Sequence, residues 1–159
     1  FKYLKIFKPS RDISQMNIDE FLKSCENLSK NKTGALFIIE RNNSLDFVKN
    51  SGDELYVEIS SPIIESIFFK NSPLHDGAVI IDGNFITAAR VILPILENQN
   101  IDSRLGLRHR AAFGITEKTD AIALVLSEEN KKITFIKNGE IFSHKSLENL
   151  KTMIEAELV

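Results

Sequence analysis

With one cysteine in 159 residues, the chain has nothing to pair with Cys25. That excludes an internal disulfide and a cysteine-rich zinc site, and it suits a reducing compartment. The apolar neighbours of Cys25 predict a buried thiol. An excess of one charge is also lacking, since 20 Lys and Arg stand against 22 Asp and Glu for a net charge of −2. No global positive field draws in nucleic acid, so no nucleic-acid partner is expected and any phosphate binding must be local. A run of about 18 apolar residues is absent, and with it any membrane span within these residues. The chain does not begin with Met, so it is expected to be a fragment. Its opening Phe1-Lys2-Tyr3-Leu4-Lys5-Ile6-Phe7-Lys8 alternates apolar with basic residues, as a juxtamembrane stretch or an edge strand would. What is present, 43% hydrophobic and 26% charged residues, suits one globular domain over 1–159.

The periodicity is mixed. Ile18, Phe21, Leu22, Cys25 and Leu28 repeat at helical spacing, with Asn17 and Glu20 placed as a capping box, which predicts a helix ending near Asn31. Residues 34–40 form a short apolar run that reads as a buried central strand, and residues 55–59 read as another. Ser61 and Pro62 open a second helix whose apolar face is Ile63, Ile64, Ile67 and Phe68. Around Asp82-Gly83-Asn84, the runs 78–81 and 85–93 predict a hairpin. A polar loop over 94–103 precedes a helix from about Gly106 to Ile115. Residues 121–126 and 132–137 then pair across a turn, and 147–158 is helical. The pattern defines an α/β fold, a central mixed β-sheet flanked by helices on both faces. In such sheets ligands collect where strands end and helices begin.

Two stretches carry more charge than packing needs: Leu74-His75-Asp76-Gly77-Ala78 and Gly106-Leu107-Arg108-His109-Arg110-Ala111-Ala112. A carboxylate can hold a divalent cation or take a proton from a hydroxyl, and arginines neutralise polyphosphate in fork geometry. Asp76 also has an ordinary reading as a turn cap. Its position between an apolar helix and an apolar strand requires it to be hydrated, paired or metal-bound. Gly77 would let a ligand approach the backbone closely. Arg108 and Arg110 point away from one another on a helix, so one faces the ligand while the other faces a carboxylate or another subunit. A helix starting near Gly106 would set free N–H groups and the positive dipole end beneath the arginine. Ser127-Glu128-Glu129 is either a charged turn or a hydroxyl for phosphate beside a carboxylate for a cation. His75, His109 and His144 lack the i, i+4 pairing that would make a strong zinc motif.

Taken together, Asn71-Ser72-Pro73-Leu74-His75-Asp76-Gly77-Ala78-Val79-Ile80, Gly106-Leu107-Arg108-His109-Arg110-Ala111-Ala112 and Ser127-Glu128-Glu129 closely resemble the bacterial and archaeal diadenylate cyclase domain. The resemblance runs from the strand at Gly34 to the strand ending near Lys137, and it implies a catalytic core of about 14–145. It implies condensation of two ATP to cyclic di-AMP and two pyrophosphates, with manganese, magnesium or cobalt, in a face-to-face homodimer. By that resemblance Asp76, Arg108 and His109 are catalytic, and Asp76 and Glu128 hold the metal. Leu36, Gly77, Ala78, Ala88, Leu107, Arg108 and Ser127 bind ATP, with the segments at Leu36 and Ala88 shaping the adenine pocket. The likeness is greatest to the membrane-tethered type, which implies a cytoplasmic-face domain anchored upstream of Phe1. An inactive nucleotide-binding regulatory domain is the alternative, and a metal-dependent phosphohydrolase ranks below it. One position departs from the family pattern. Thr usually precedes Arg-His-Arg, and here Leu107 stands there.

Overall fold

The computed structural model describes residues 15–95 and 105–159. The basic-apolar opening and most of the loop over 94–103 lie outside the described residues. The elements follow in the order α1 (Ile18–Lys30), β1 (Ala35–Ile39), α2 (Asp46–Lys49), β2 (Asp53–Glu58), α3 (Ser61–Phe68), β3 (Ala78–Asp82) and β4 (Phe85–Val91). Then come α4 (Leu107–Lys118), β5 (Ile122–Leu126), β6 (Ile133–Lys137), β7 (Glu140–Phe142) and α5 (Leu147–Glu157). The short α2 and the edge strand β7 are additions to the elements expected from periodicity. Neither carries a pattern long enough to register.

Seven strands form one sheet in the order β2-β4-β3-β1-β5-β6-β7. β1 and β3 are parallel, with Phe37 opposite Val79, and every other pairing is antiparallel. The central strands β1, β3 and β5 are buried along their whole length because helices cover both faces. On one face α1, α3 and α5 pack Phe21, Cys25, Ile64, Phe68, Leu150 and Ile154 against Phe37, Ile39, Val79 and Leu124. Phe37 lies between Phe21 and Phe68 in edge-to-face contacts, with centroids 5.0 and 5.1 Å away. On the other face Leu45, Val48, Ala112, Phe113 and Ile115 of the α2 and α4 segments cover Leu36, Ile38, Ile80, Ala123 and Ile136. Cys25 is fully buried, and desolvation pushes its thiol far above the usual range, so it is an inert packing group.

The expected capping box is half made. Asn17 accepts from the Glu20 N–H at 3.2 Å, but the Glu20 carboxylate turns away and accepts from Ser61 N–H at 2.7 Å, at the start of α3. Glu20 therefore ties two helices together where the local pattern assigned it to one. The Asn17 N–H is satisfied instead by the side-chain oxygen of Asn84 at 2.8 Å.

Candidate active site

At one end of the sheet β1 and β3 begin while β5 ends, because Ala35 pairs antiparallel with Leu126. Three turns converge there: the loop carrying Asp76 into β3, the start of α4, and the turn from β5 into β6. They enclose a cleft of about 940 Å³ lined by Leu36, Asp76, Gly77, Ala78, Leu107, Arg108, His109, Ser127 and Glu128, among others. Nine of the ten residues assigned from sequence thus meet in one place; the exception is Ala88. Ala88 is fully buried within β4, in the core beneath α2 and α4, and does not line the cleft. The cleft sits at the amino ends of the parallel pair. The rule of carboxyl strand ends does not govern here, since only two strands are parallel.

Asp76 is 82% exposed at its side chain, and its Oδ1 lies 3.3 Å from Nε2 of His75. The other ring nitrogen of His75, Nδ1, donates to the Ser72 carbonyl at 2.7 Å, which fixes the ring beside the carboxylate. His75 had no role in the sequence reading beyond a weak zinc motif. Gly77 has φ +92°, and a Cβ there would lie 2.7 Å from the Val91 carbonyl oxygen. The β4 backbone therefore demands glycine at this point. β4 is bulged at this level, with Ala78 opposite Val91 and Ile80 opposite Ala88. Within the bulge Arg90 takes φ +54°, held by a two-pronged bond to Asp53 at 2.8 and 3.3 Å. The strand beyond the bulge is tied down by Ile92 N–H donating to the Ser51 hydroxyl at 2.9 Å. That carries Ile92, which is 68% exposed, and Leu93 to the cleft wall.

α4 begins at Leu107 after Gly106, with no side-chain cap among the described residues and no acidic residue in its first turn. The positive end of the helix is thus open toward the cleft. Arg108, in this first turn, lies over Gly34, where a Cβ would fall 2.5 Å from its Nη1 and 2.7 Å from its Cζ. Its Nη1 is 3.9 Å from Oε1 of Glu128, across the cleft. Arg110 does not line the cleft, as the helical spacing anticipated. On the opposite wall the Ser127 hydroxyl accepts from the N–H groups of Glu129 and Asn130 at 3.1 and 3.4 Å. Both lone-pair directions are used within the turn, so the hydroxyl hydrogen is left to donate.

His109 is half-buried, and its imidazole is held below the ordinary histidine range by burial first, then by the charges of Lys132 and Arg108. His144 is lowered by burial and by Lys132. The unfolded chain takes up these protons near pH 6.5, and the fold only at lower pH. Between those values the unfolded state binds more protons, so stability present above about pH 6.5 is lost as the pH falls. The melting temperature is expected to drop between pH 7 and 5, with a shallower slope in a His109→Gln variant. An unchanged slope in that variant would contradict the assignment.

Among the described residues no group of three or more His, Cys, Asp or Glu gathers to hold a metal ion. The cleft does offer three hard carboxylates, Asp76, Glu128 and Glu129, the first two being the pair expected to hold a metal. That donor set fits a small divalent cation whose remaining ligands are substrate phosphate oxygens and water, and it does not fit a closed protein cage.

The fold and the cleft define a class, α/β domains that set an uncapped helix start beside charged side chains, an arrangement suited to anionic ligands. The profile of the family described as DAC, DisA bacterial checkpoint controller nucleotide-binding, matches residues 22–141. The chain is 40% identical over 149 residues to the cyclic di-AMP synthase CdaA of Bacillus subtilis, covering 94% of this chain and 55% of that protein. It is 43% identical over 118 residues to the diadenylate cyclase CdaS of Bacillus thuringiensis, covering 74% and 59%. Its fold matches the crystal structure of a double mutant of DacA from Staphylococcus aureus with a TM-score of 0.84 at 33% identity, covering 89% of this chain and 94% of that one. The chain belongs to the diadenylate cyclase family. It spans somewhat over half the length of the curated relatives named here.

Proposed function

We propose that this domain condenses two ATP molecules into cyclic di-AMP, releasing two pyrophosphates, with residues of about 14–145 as the catalytic core. The reading rests on one observation above the others: Asp76, Arg108 and Ser127, distant in sequence, line a single cleft together with an uncapped helix start. In each half-reaction the 3′-oxygen of one nucleotide bonds to the α-phosphorus of the other, and the bond from that phosphorus to the pyrophosphate oxygen breaks. The 3′-hydroxyl proton passes to Asp76, which is exposed and lies beside His75. Arg108 and the α4 N–H groups stabilise the charge on the phosphates, His109 lies beside them, and Ser127 donates to the triphosphate. Gly77 and Ala78 keep the backbone close to the nucleotide, and Leu36 with Leu107 contributes apolar surface to it. A divalent cation, manganese, magnesium or cobalt, held through Asp76 and Glu128, would neutralise phosphate charge.

Two nucleotides in opposed clefts require two copies of the chain, so a face-to-face homodimer is part of the proposal. For the whole protein, a membrane tether upstream of Phe1 with this domain on the cytoplasmic side is the corresponding proposal. Its support is the basic-apolar opening and a fold match, with a TM-score of 0.78 at 39% identity over 83% of this chain and 65% of that one, to a Bacillus cereus protein described as a hypothetical membrane spanning protein. Among the described residues no helix is long and apolar enough to cross a membrane.

Incubation with ATP and manganese, followed by chromatography, tests the reading. Cyclic di-AMP is the expected product, and ADP or AMP with free phosphate would contradict it. Leu107 supports a second reading, a nucleotide-binding regulatory domain without turnover. It is 70% exposed at the cleft and presents methyl groups where a hydroxyl would donate to phosphate. A hydrogen bond to a charged group contributes roughly 1.5 to 3 kcal/mol. Leu107→Thr is therefore expected to raise turnover about ten- to a hundredfold. Unchanged turnover would refute the argument from the hydroxyl.

A further inference from the structure

Lys132 lines the cleft, and neither its position nor its charge was read as functional from sequence. It immediately precedes β6, whose Leu126–Ile133 and Val125–Thr134 pairings fix the register beside β5. Alternation along that strand puts Lys132, Thr134 and Ile136 on one face, the face that α4 covers. Ile136 is core there and Thr134 is buried in the cleft wall, so Lys132 is the next side chain outward. Its backbone is held twice: its carbonyl accepts from Ser127 N–H at 3.0 Å, and its N–H donates to the Asn130 side chain at 3.0 Å. Lys132 therefore stands directly across the turn from Ser127.

We propose that Lys132 is a substrate-binding residue of this cleft, its ammonium taking the β- and γ-phosphates of ATP beside the Ser127 hydroxyl. The proposal rests on the cyclase reading and adds to it a cation specific to the polyphosphate chain. Three observations support it. First, no salt bridge joins Lys132 to any described carboxylate, so its charge is available in a cleft whose ligand is anionic. Second, its charge acts on His109 of α4, in agreement with the strand alternation that puts the side chain on the α4 face. Third, Leu107 removes a hydroxyl from the helix start, and an ammonium serves as a point-charge phosphate ligand without needing fork geometry. Within this proposal Arg108, in the first turn of α4, takes the reacting α-phosphate. Lys132, on the Ser127 side, reaches the leaving pyrophosphate.

Binding of α,β-methylene ATP and of AMP, measured by calorimetry on wild type, Lys132→Met and Lys132→Arg, separates the possibilities. Lys132→Met is expected to bind the ATP analogue about tenfold more weakly, bind AMP as wild type does, and raise KM more than it lowers kcat. Lys132→Arg is expected to retain most of the affinity. Because Lys132 is exposed, the melting temperature should not move. Unchanged affinity for the ATP analogue in Lys132→Met, or equal weakening of analogue and AMP, overturns the role of Lys132. In that case cyclic di-AMP formation by the wild type still upholds the cyclase reading. Wild-type protein that binds neither nucleotide overturns the reading beneath both.

Discussion

Asp76→Asn is expected to lower cyclic di-AMP formation by about a hundred- to ten-thousandfold, the range over which a positioned general base acts, while ATP binding persists. The substitution is close to isosteric, and the side chain is 82% exposed, so no packing is disturbed. What goes is the negative charge that, in the proposed mechanism, would accept the 3′-hydroxyl proton and contribute an oxygen to the cation. The amide keeps its contact distance to His75, so the loop into β3 keeps its shape. In the proposed mechanism Arg108, the α4 start and Ser127 would still hold the triphosphate. Product chromatography alongside calorimetric ATP titration measures both halves of the expectation. Product formed by Asp76→Asn at near the wild-type rate would remove the carboxylate from the mechanism. Loss of ATP binding would make Asp76 a binding residue instead.

Gly34→Ala is expected to cost about ten- to a hundredfold in kcat/KM, although residue 34 carries no functional group. The methyl would lie 2.5 Å from Nη1 and 2.7 Å from Cζ of Arg108, closer than van der Waals contact allows. Nothing rigid obstructs the methyl, because its near neighbours are the far end of a flexible side chain. The guanidinium swings away and the fold stays, so the melting temperature is expected to change little. A charge-assisted hydrogen bond to phosphate contributes about 1.5 to 3 kcal/mol, which sets the expected loss. A double-mutant cycle makes the test specific. If Gly34 acts only through Arg108, the Gly34→Ala, Arg108→Ala double variant loses no more than Arg108→Ala alone. Additive losses would show a separate role for Gly34, and full activity in Gly34→Ala would show that Arg108 need not occupy this position.

Much of the fold was legible because its elements are strongly patterned. The buried runs of β1, β3 and β5 and the apolar stripe of α1 carry their own signal, and so does the Asp82-Gly83 turn. α2 and β7, of four and three residues, fall below the length at which periodicity speaks. The partner of Glu20 was misjudged for a different reason. A capping box is a local pattern, whereas the start of α3 competes for the same carboxylate through space. At the cleft, Asp76, Arg108, His109 and Ser127 stood out because charged and polar residues interrupt apolar elements. Ala88 did not belong, since a small apolar residue in a strand looks the same whether it faces a pocket or a core. The packing of Gly34 under Arg108, and Lys132 altogether, were missed because their significance is relational. Gly34 matters through what lies above it, and Lys132 through the strand register that sets it opposite Ser127. Alternation along β6 was the available signal for Lys132, had the covered face been known. The Arg90 bulge, with its left-handed residue and its Asp53 clasp, leaves no sequence trace beyond an arginine inside a strand.

The central claim is that two copies of this chain, cleft to cleft, join two ATP molecules. Cyclic di-AMP formed per protein molecule, measured with ATP and manganese over dilution from micromolar to nanomolar, tests it most directly when the mass of the species in solution is followed in parallel. The account predicts cyclic di-AMP as the product and a turnover per chain that tracks the dimeric fraction, falling as the dimer dissociates. Constant turnover by a species shown to be monomeric, or ADP and AMP in place of the cyclic dinucleotide, would contradict it.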